Sequence, residues 1–181
     1  VKKAIENLGE EVLLKSNKSK INDCQALIVP GQGAFDPAIE NLRKTELIED
    51  IKKWITIGKP FLGICLGLQI LFEKSEEGKN QGLNIINGKI TKIPKIDNQR
   101  IPHIGWCNLI PTKESALLNK NDSNNWVYFD HSYYAEPNDK NFISANVKYG
   151  HIYLTAIIEH ENLIACQFHP EKSGKVGENL L

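Results

Sequence analysis

Apolar positions along the chain follow two periods in turn. Val1, Ala4, Ile5 and Leu8 fall on one helical face, and Gly9 supplies the stop. Glu11–Lys15 predicts a short strand. Ala26–Val29 predicts a second, an apolar run too short for a helix that closes on Pro30-Gly31-Gln32-Gly33. Pro37 to Ile57 carries helical periodicity, with a break near Lys44–Thr45 and a stop at Gly58-Lys59-Pro60. Phe61–Ile64 predicts a third buried strand. A helix follows from Leu66 to Lys74, with Leu68, Ile70, Leu71 and Phe72 mostly inward.

The second half is β-rich. Short strand-type runs stand at Gly88–Ile93, Trp126–Phe129, Phe142–Tyr149, Ile152–Ile158 and Leu163–Phe168, divided by Asn, Asp, Gly and Pro. Strand–helix alternation followed by such runs predicts an α/β fold. Its form is an open, mostly parallel sheet flanked by helices, with an added antiparallel section.

Composition narrows the class. At 181 residues the chain is read as a single domain over 1–181, large enough to bury a core without disulfides or metal. Lys and Arg number 22 and so do Asp and Glu, which argues against a phosphate-backbone binder, so no nucleic acid is expected. No apolar run reaches the roughly eighteen residues a membrane span needs, so no membrane is expected. The N-terminal VKKAIENLGE does not resemble a signal peptide. Cys24, Cys65, Cys107 and Cys166 stand far apart, which fits a reducing, cytoplasmic setting. No Met occurs, so the chain is read as a fragment.

Three turns at strand ends could carry chemistry, the place where open α/β sheets put their sites. Gly63-Ile64-Cys65-Leu66-Gly67 joins a buried strand to a helix in the G-x-nucleophile-x-G pattern. A thiol there sits at a helix N-terminus, which favours its anion. The same pentapeptide also fits a buried structural cysteine. His169-Pro170-Glu171 follows an apolar strand. If extended, it turns His169 and Glu171 the same way, a base and the carboxylate that orients it. An ordinary strand-end turn reads equally from those three residues. Gly33 after the first turn and Leu66 after Cys65 could offer two backbone N–H groups to an oxyanion. His103, His131, His151 and His160 form no HExxH or HxxxH pair, and no GxxxxGK loop exists, so neither metal nor cofactor is expected.

Taken together, PGQGAF, GICLGLQ, PHIGW, HSYY and QFHPEKS resemble the class I, triad-type glutamine amidotransferases. More narrowly, PGQGAFDPAI, SEEG, PHIGW and HPEKSGKVG are similar to the glutaminase subunits of imidazole glycerol phosphate synthases, in order along the whole chain. The resemblance implies that Cys65 attacks L-glutamine to form a thioester, with His169 moving protons and Glu171 orienting it. It implies an oxyanion hole at Gly33 and Leu66, and substrate contacts from Gln69, Glu77, Ser132 and Tyr133. It implies a (β/α)8-barrel cyclase partner in a heterodimer, met through Pro102, His103, Ile104, Gly105 and Trp106, which takes ammonia into histidine biosynthesis.

Other readings stay open at this stage. A paralogous glutaminase could serve another acceptor, such as surface-sugar amidination, and a scaffold could keep the fold without the activity. The chain departs from the family where Cys107 replaces a usual Asn and Asp130 a usual apolar residue. The family begins with a strand ahead of the opening helix and continues past Leu181. By that comparison both ends are expected to be truncated and the first strand missing.

Overall fold

β2, Phe61–Cys65, is the strand around which the molecule is organised in the computed structural model, which describes residues 1–14, 21, 24–115, 117–118 and 124–181. β2 pairs in parallel with β1, Leu27–Gly31, on one side and with β10, Leu163–Cys166, on the other. Alternate residues of these strands enter two different cores. Phe61, Leu163 and Ala165 join one, while Ile64 and Cys166 join the other. Strands covered on both faces must be apolar throughout, which is why β2 and β10 read as unbroken runs.

Helices cover both faces. After β1 come α2, Phe35–Lys44, and α3, Leu47–Thr56, which bury Phe35, Ile39, Ile51 and Trp54 in the first core. They part at Glu46, whose φ of 56° is left-handed, next to the expected break. On the other side α5, Gly174–Leu180, packs Val176 and Leu180 against the second core. α1, Lys2–Asn7, opens the chain and gives way to Gly9 at φ 93°. No regular structure forms over residues 11–14, where a strand was expected, and Lys15 lies outside the described residues.

The sheet then continues as β9, Ile152–His160, β8, Ile143–Tyr149, β5, His103–Pro111, and β6, Trp126–His131, in the order β1-β2-β10-β9-β8-β5-β6. Every pairing from β10 to β6 is antiparallel. The α/β architecture holds, but the antiparallel section outweighs the parallel one, where a mostly parallel sheet was expected. The cause is the short turns joining β8 to β9 and β9 to β10, since hairpins can link only antiparallel neighbours.

A small second sheet holds β3, Phe72–Ser75, β4, Ile86–Lys92, and β7, Tyr133–Pro137. It explains why the helix expected over Leu66–Lys74 is only α4, Leu66–Gln69. The N–H groups of Leu83 and Ile86 donate to the carbonyls of Ile70 and Leu71, at 2.8 and 3.0 Å. An apolar run serves a buried helix or a buried strand equally, and here the neighbouring segment decides.

Candidate active site

Cys65 ends β2 at φ 54° and ψ −105°, a backbone conformation that costs a non-glycine residue about 1–3 kcal/mol. Its neighbours are glycine for want of space. A Cβ on Gly67 would stand 1.8 Å from the Val29 carbonyl oxygen, and one on Gly63 2.7 Å from that of Gly67. The strand can therefore turn sharply into α4, leaving the thiol at the turn. Leu66 is the first residue of α4, so its N–H has no acceptor within the helix. Register sets Gly31 beside Cys65, so the turn through Gly33, at φ 98°, leaves β1 next to the thiol.

His169 comes from just beyond β10, on the other side of β2. Its Nδ1 lies 2.9 Å from Glu171 Oε1, and its ring lines the same cavity as the Cys65 side chain. Pro170–Lys172 is a 3-10 turn rather than extended chain, so Glu171 reaches back onto the ring from within the turn. Three further bonds close a loop about His169. Its N–H donates to Tyr128 O at 2.9 Å, Tyr128 N–H donates to Ser173 Oγ at 2.9 Å, and Ser173 Oγ donates to His169 O at 2.6 Å.

The electrostatics suit proton transfer. The Cys65 side chain, then the Glu171 carboxylate, push His169 up to about 9 from 6.5, against the effect of burial. Burial is the largest single influence on the Glu171 carboxyl and would raise it, but the bond from His169, a backbone N–H and the nearby positive charges together hold the group below its ordinary value. Cysteine, imidazole and carboxylate in this order are the groups that a covalent catalyst would use as nucleophile, base and orienter.

One cavity is lined by Cys65, His169, Gly33, Leu66, Gln69, Glu77, Ser132 and Tyr133 together. Glu171 stands behind His169, so every catalytic, oxyanion and substrate candidate is in or directly behind that cavity. Glu77 is fixed there by one oxygen, Oε2, which accepts from Phe35 N–H at 2.8 Å. Gln69 Nε2 donates to Tyr133 O at 3.2 Å and to Gln167 Oε1 at 3.1 Å.

The interface candidates divide. Ile104 and Trp106 present exposed side chains on β5, 57% and 51% accessible. His103, expected among them, is instead buried, because alternation along β5 turns it inward against Phe129 and His131. Pro102 lines the cavity.

Sequence reasoning assigned nothing to Gln167 or to His131. Gln167 is fully buried and its Nε2 stands 3.6 Å from Cys65 Sγ. The signal was present: Gln167 and His169 are two apart at a strand end, the spacing that places side chains on one face. Gln32 and Asp130 also line the cavity, Asp130 as an exposed carboxylate. Among the described residues no group of His, Cys, Asp and Glu is set to hold a metal ion, and no helix is long and apolar enough to cross a membrane.

Comparison with known proteins bears on the family and the fold. A family model described as glutamine amidotransferase class-I matches residues 1–181. An imidazole glycerol phosphate synthase subunit HisH of Prochlorococcus marinus subsp. pastoris is 62% identical, over 100% of this chain and 88% of that protein. A subunit of the same description from a Synechococcus strain is 46% identical, over 100% of this chain and 85% of its own length. Among solved structures, a glutamine amidotransferase superposes with a TM-score of 0.74 at 18% identity, over 99% of this chain and 87% of that one. PurLQS from Thermotoga maritima gives 0.65 at 17% identity, over 91% of this chain and 80% of its own. At such identities these two structures speak for the fold alone.

Proposed function

This chain belongs to the class-I glutamine amidotransferases, and from that premise we propose that it is the glutaminase subunit of an imidazole glycerol phosphate synthase. The observation that carries the reading is the assembly of Cys65, His169 and Glu171 at one wall of a cavity whose other walls hold Gly33, Glu77, Ser132 and Tyr133. Identity to HisH subunits over the whole chain supports the choice of acceptor pathway.

Glutamine enters with its side-chain amide toward Cys65. Its ammonium meets Glu77 through Oε1, the oxygen that Phe35 does not use. The carbonyls of Ser132 and Tyr133 already accept bonds from Ile93 N–H and from His131 and Gln69. What this segment offers the substrate carboxylate is therefore its N–H side.

Sulfur attacks the amide carbon, and the carbonyl π-bond opens to an oxyanion held by the N–H groups of Gly33 and Leu66. His169, carrying the thiol's proton, gives it to the leaving nitrogen, and ammonia departs as the carbonyl re-forms in a γ-glutamyl thioester. Water then attacks that carbonyl while His169 takes its proton. The thiolate leaves, regains a proton, and glutamate is released. Glu171 holds the tautomer and steadies the charged imidazole in each half.

Ammonia passes to a (β/α)8-barrel cyclase that docks on the exposed face of β5, where Ile104 and Trp106 supply apolar anchors. Four free thiols suit a reducing, cytoplasmic setting.

The test is ammonia release from glutamine by the full-length protein, alone and with its cyclase and the cyclase's nucleotide substrate. Strong stimulation in the complex is expected. Cys65→Ala should abolish that release and leave ammonia-driven synthesis by the cyclase intact. Release that persists in Cys65→Ala would refute the mechanism, and activity indifferent to the cyclase would refute the pathway.

A further inference from the structure

A line of polar groups runs inward from β5 and ends at the nucleophile. Cys107 Sγ lies 3.2 Å from His103 Nε2, and His103 Nδ1 lies 3.0 Å from His131 Nε2. His131 Nδ1 lies 2.9 Å from the Tyr133 carbonyl oxygen. The same carbonyl accepts from Gln69 Nε2, whose second hydrogen goes to Gln167 Oε1, and Gln167 Nε2 faces Cys65 Sγ.

The last contact of the first group fixes every proton in it. A carbonyl oxygen only accepts, so His131 Nδ1 carries the hydrogen. Neutral His131 then has a bare Nε2, which must accept from His103 Nδ1–H. Neutral His103 in turn has a bare Nε2, which must accept from the Cys107 thiol. Burial keeps both rings neutral: it lowers His103 and pushes His131 down to about 3. It raises the Cys107 thiol, which therefore keeps its hydrogen to give. The donors all point one way, toward Tyr133.

We propose that His131, with its tautomer set by His103, is a positioning residue that fixes the Tyr133 peptide and through it the shape of the glutamine pocket. The geometry assigns Cys107 a part as well, because its S–H is the donor that sets His103. His131 lines the cavity, yet its ring nitrogens are both engaged away from any ligand, so it acts through the peptide it holds. Gln69 depends on the same carbonyl, and Gln167 on Gln69, so displacement of Tyr133 disturbs glutamine binding before it disturbs the triad.

This rests on the reading of the cavity as a glutamine site, and the experiment separates the two. Glutamine hydrolysis is measured in the complex of the full-length chain with its cyclase. His131→Leu, which removes both bonds, should raise KM about tenfold, the effect of one lost buried hydrogen bond, while kcat falls less. His131→Asn sets an amide N–H near the position of Nδ1 and should return KM to within about threefold. Cys107→Ala should raise KM by a smaller factor. Equal iodoacetamide alkylation of Cys65 in all variants would show that the triad is in place.

An unchanged KM in alkylation-competent His131→Leu overturns the proposal. Nitrogen-15 spectra of the unsubstituted complex supply a readout independent of turnover. Both rings should show a hydrogen on Nδ1 and none on Nε2, and a hydrogen on His131 Nε2 overturns the proposal even if glutamine is not hydrolysed. Failure of the unsubstituted protein to release ammonia, with those tautomers present, would instead sink the glutaminase reading.

Discussion

Glu171→Gln removes one charge from the triad while keeping its shape. The Nδ1–Oε1 contact is 2.9 Å, with side chains only 4% and 13% exposed, so water screens the pair little. His169 rises from 6.5 to about 9, with the Cys65 side chain the larger cause and Glu171 the next. Loss of the carboxylate charge removes one of the causes that raise His169, and each pKa unit so lost corresponds to about 1.4 kcal/mol. A bond to a charged acceptor is also worth more than one to an amide oxygen, about 1.5–3 against 0.5–1.5 kcal/mol. Imidazolium in the transition state therefore loses about 1.4–2 kcal/mol, and kcat should fall about ten- to thirtyfold with KM nearly unchanged. The assay is steady-state glutamine hydrolysis across pH, and the His169-linked limb should move down. Stability follows the same linkage. A raised His169 contributes stability that is whole below 6.5 and lost as pH rises through about 9. A lowered Glu171 contributes stability present above 4.5 and lost as pH falls through its folded value. Both are whole between those two ordinary values, so the Tm difference between parent and variant should be widest near pH 5–6.5 and narrow toward pH 9. A folded variant with unchanged kcat and an unmoved pH profile would refute the role of Glu171.

Three other substitutions probe different supports. Gly67→Ala sets a Cβ 1.8 Å from the Val29 carbonyl oxygen, so the elbow must shift; Cys65 alkylation and soluble yield should both fall, and a fully active variant would contradict the packing argument. Ser173→Ala strips partners from Tyr128 N–H and the His169 carbonyl in a site 2% exposed, for a loss of about 1–3 kcal/mol in unfolding free energy and a lower kcat; an unchanged denaturant midpoint would count against it. Trp106→Ala should weaken cyclase binding by about 2 kcal/mol, roughly thirtyfold in Kd by titration calorimetry, because a half-exposed Trp on an edge-proximal strand suits an interface anchor; equal affinity would move the docking face elsewhere.

What was legible in the sequence was chiefly local. Phe61–Ile64 reads as a buried strand because β2 meets apolar side chains on both faces, and the pentapeptide after it reads as a turn because glycines flank the cysteine. The break between α2 and α3 is legible in the same way. What was not legible depends on distant partners. Ile70, Leu71 and Phe72 carry nothing that tells a helix from a strand, and the N–H groups of residues 83–86 settle the matter from outside. The strand His103–Pro111 hides behind glycine and proline at its start, and its alternation becomes visible only once His103 is seen to be buried and Ile104 exposed. Spacing alone left the triad open and the family resemblance implied it; the extended geometry invoked for Glu171 is replaced by a 3-10 turn that reaches the His169 ring.

The two halves of the sheet divide the work of the site. Cys65 and the turn through Gly33 belong to the parallel strands β1 and β2, where glycine packing leaves the backbone little room. His169 leaves β10, the one strand paired in parallel to β2 and antiparallel to β9, and is then held from the far end of the sheet by β6. The hydrogen-bonded loop of His169, Tyr128 and Ser173 makes that hold specific. It also joins the base to the exposed face, since the Tyr128 ring stands 6.1 Å from Trp106 on the neighbouring strand. Cys65 thus leaves β2 beside β1, while the His169 peptide is held by β6, the neighbour of the strand that presents Trp106. A partner seated on that face would lie one residue from the peptide that holds His169, and β6 also reaches the Cys65 cavity through Asp130 and His131. A partner on that face would therefore act through where the imidazole and the Tyr133 peptide stand.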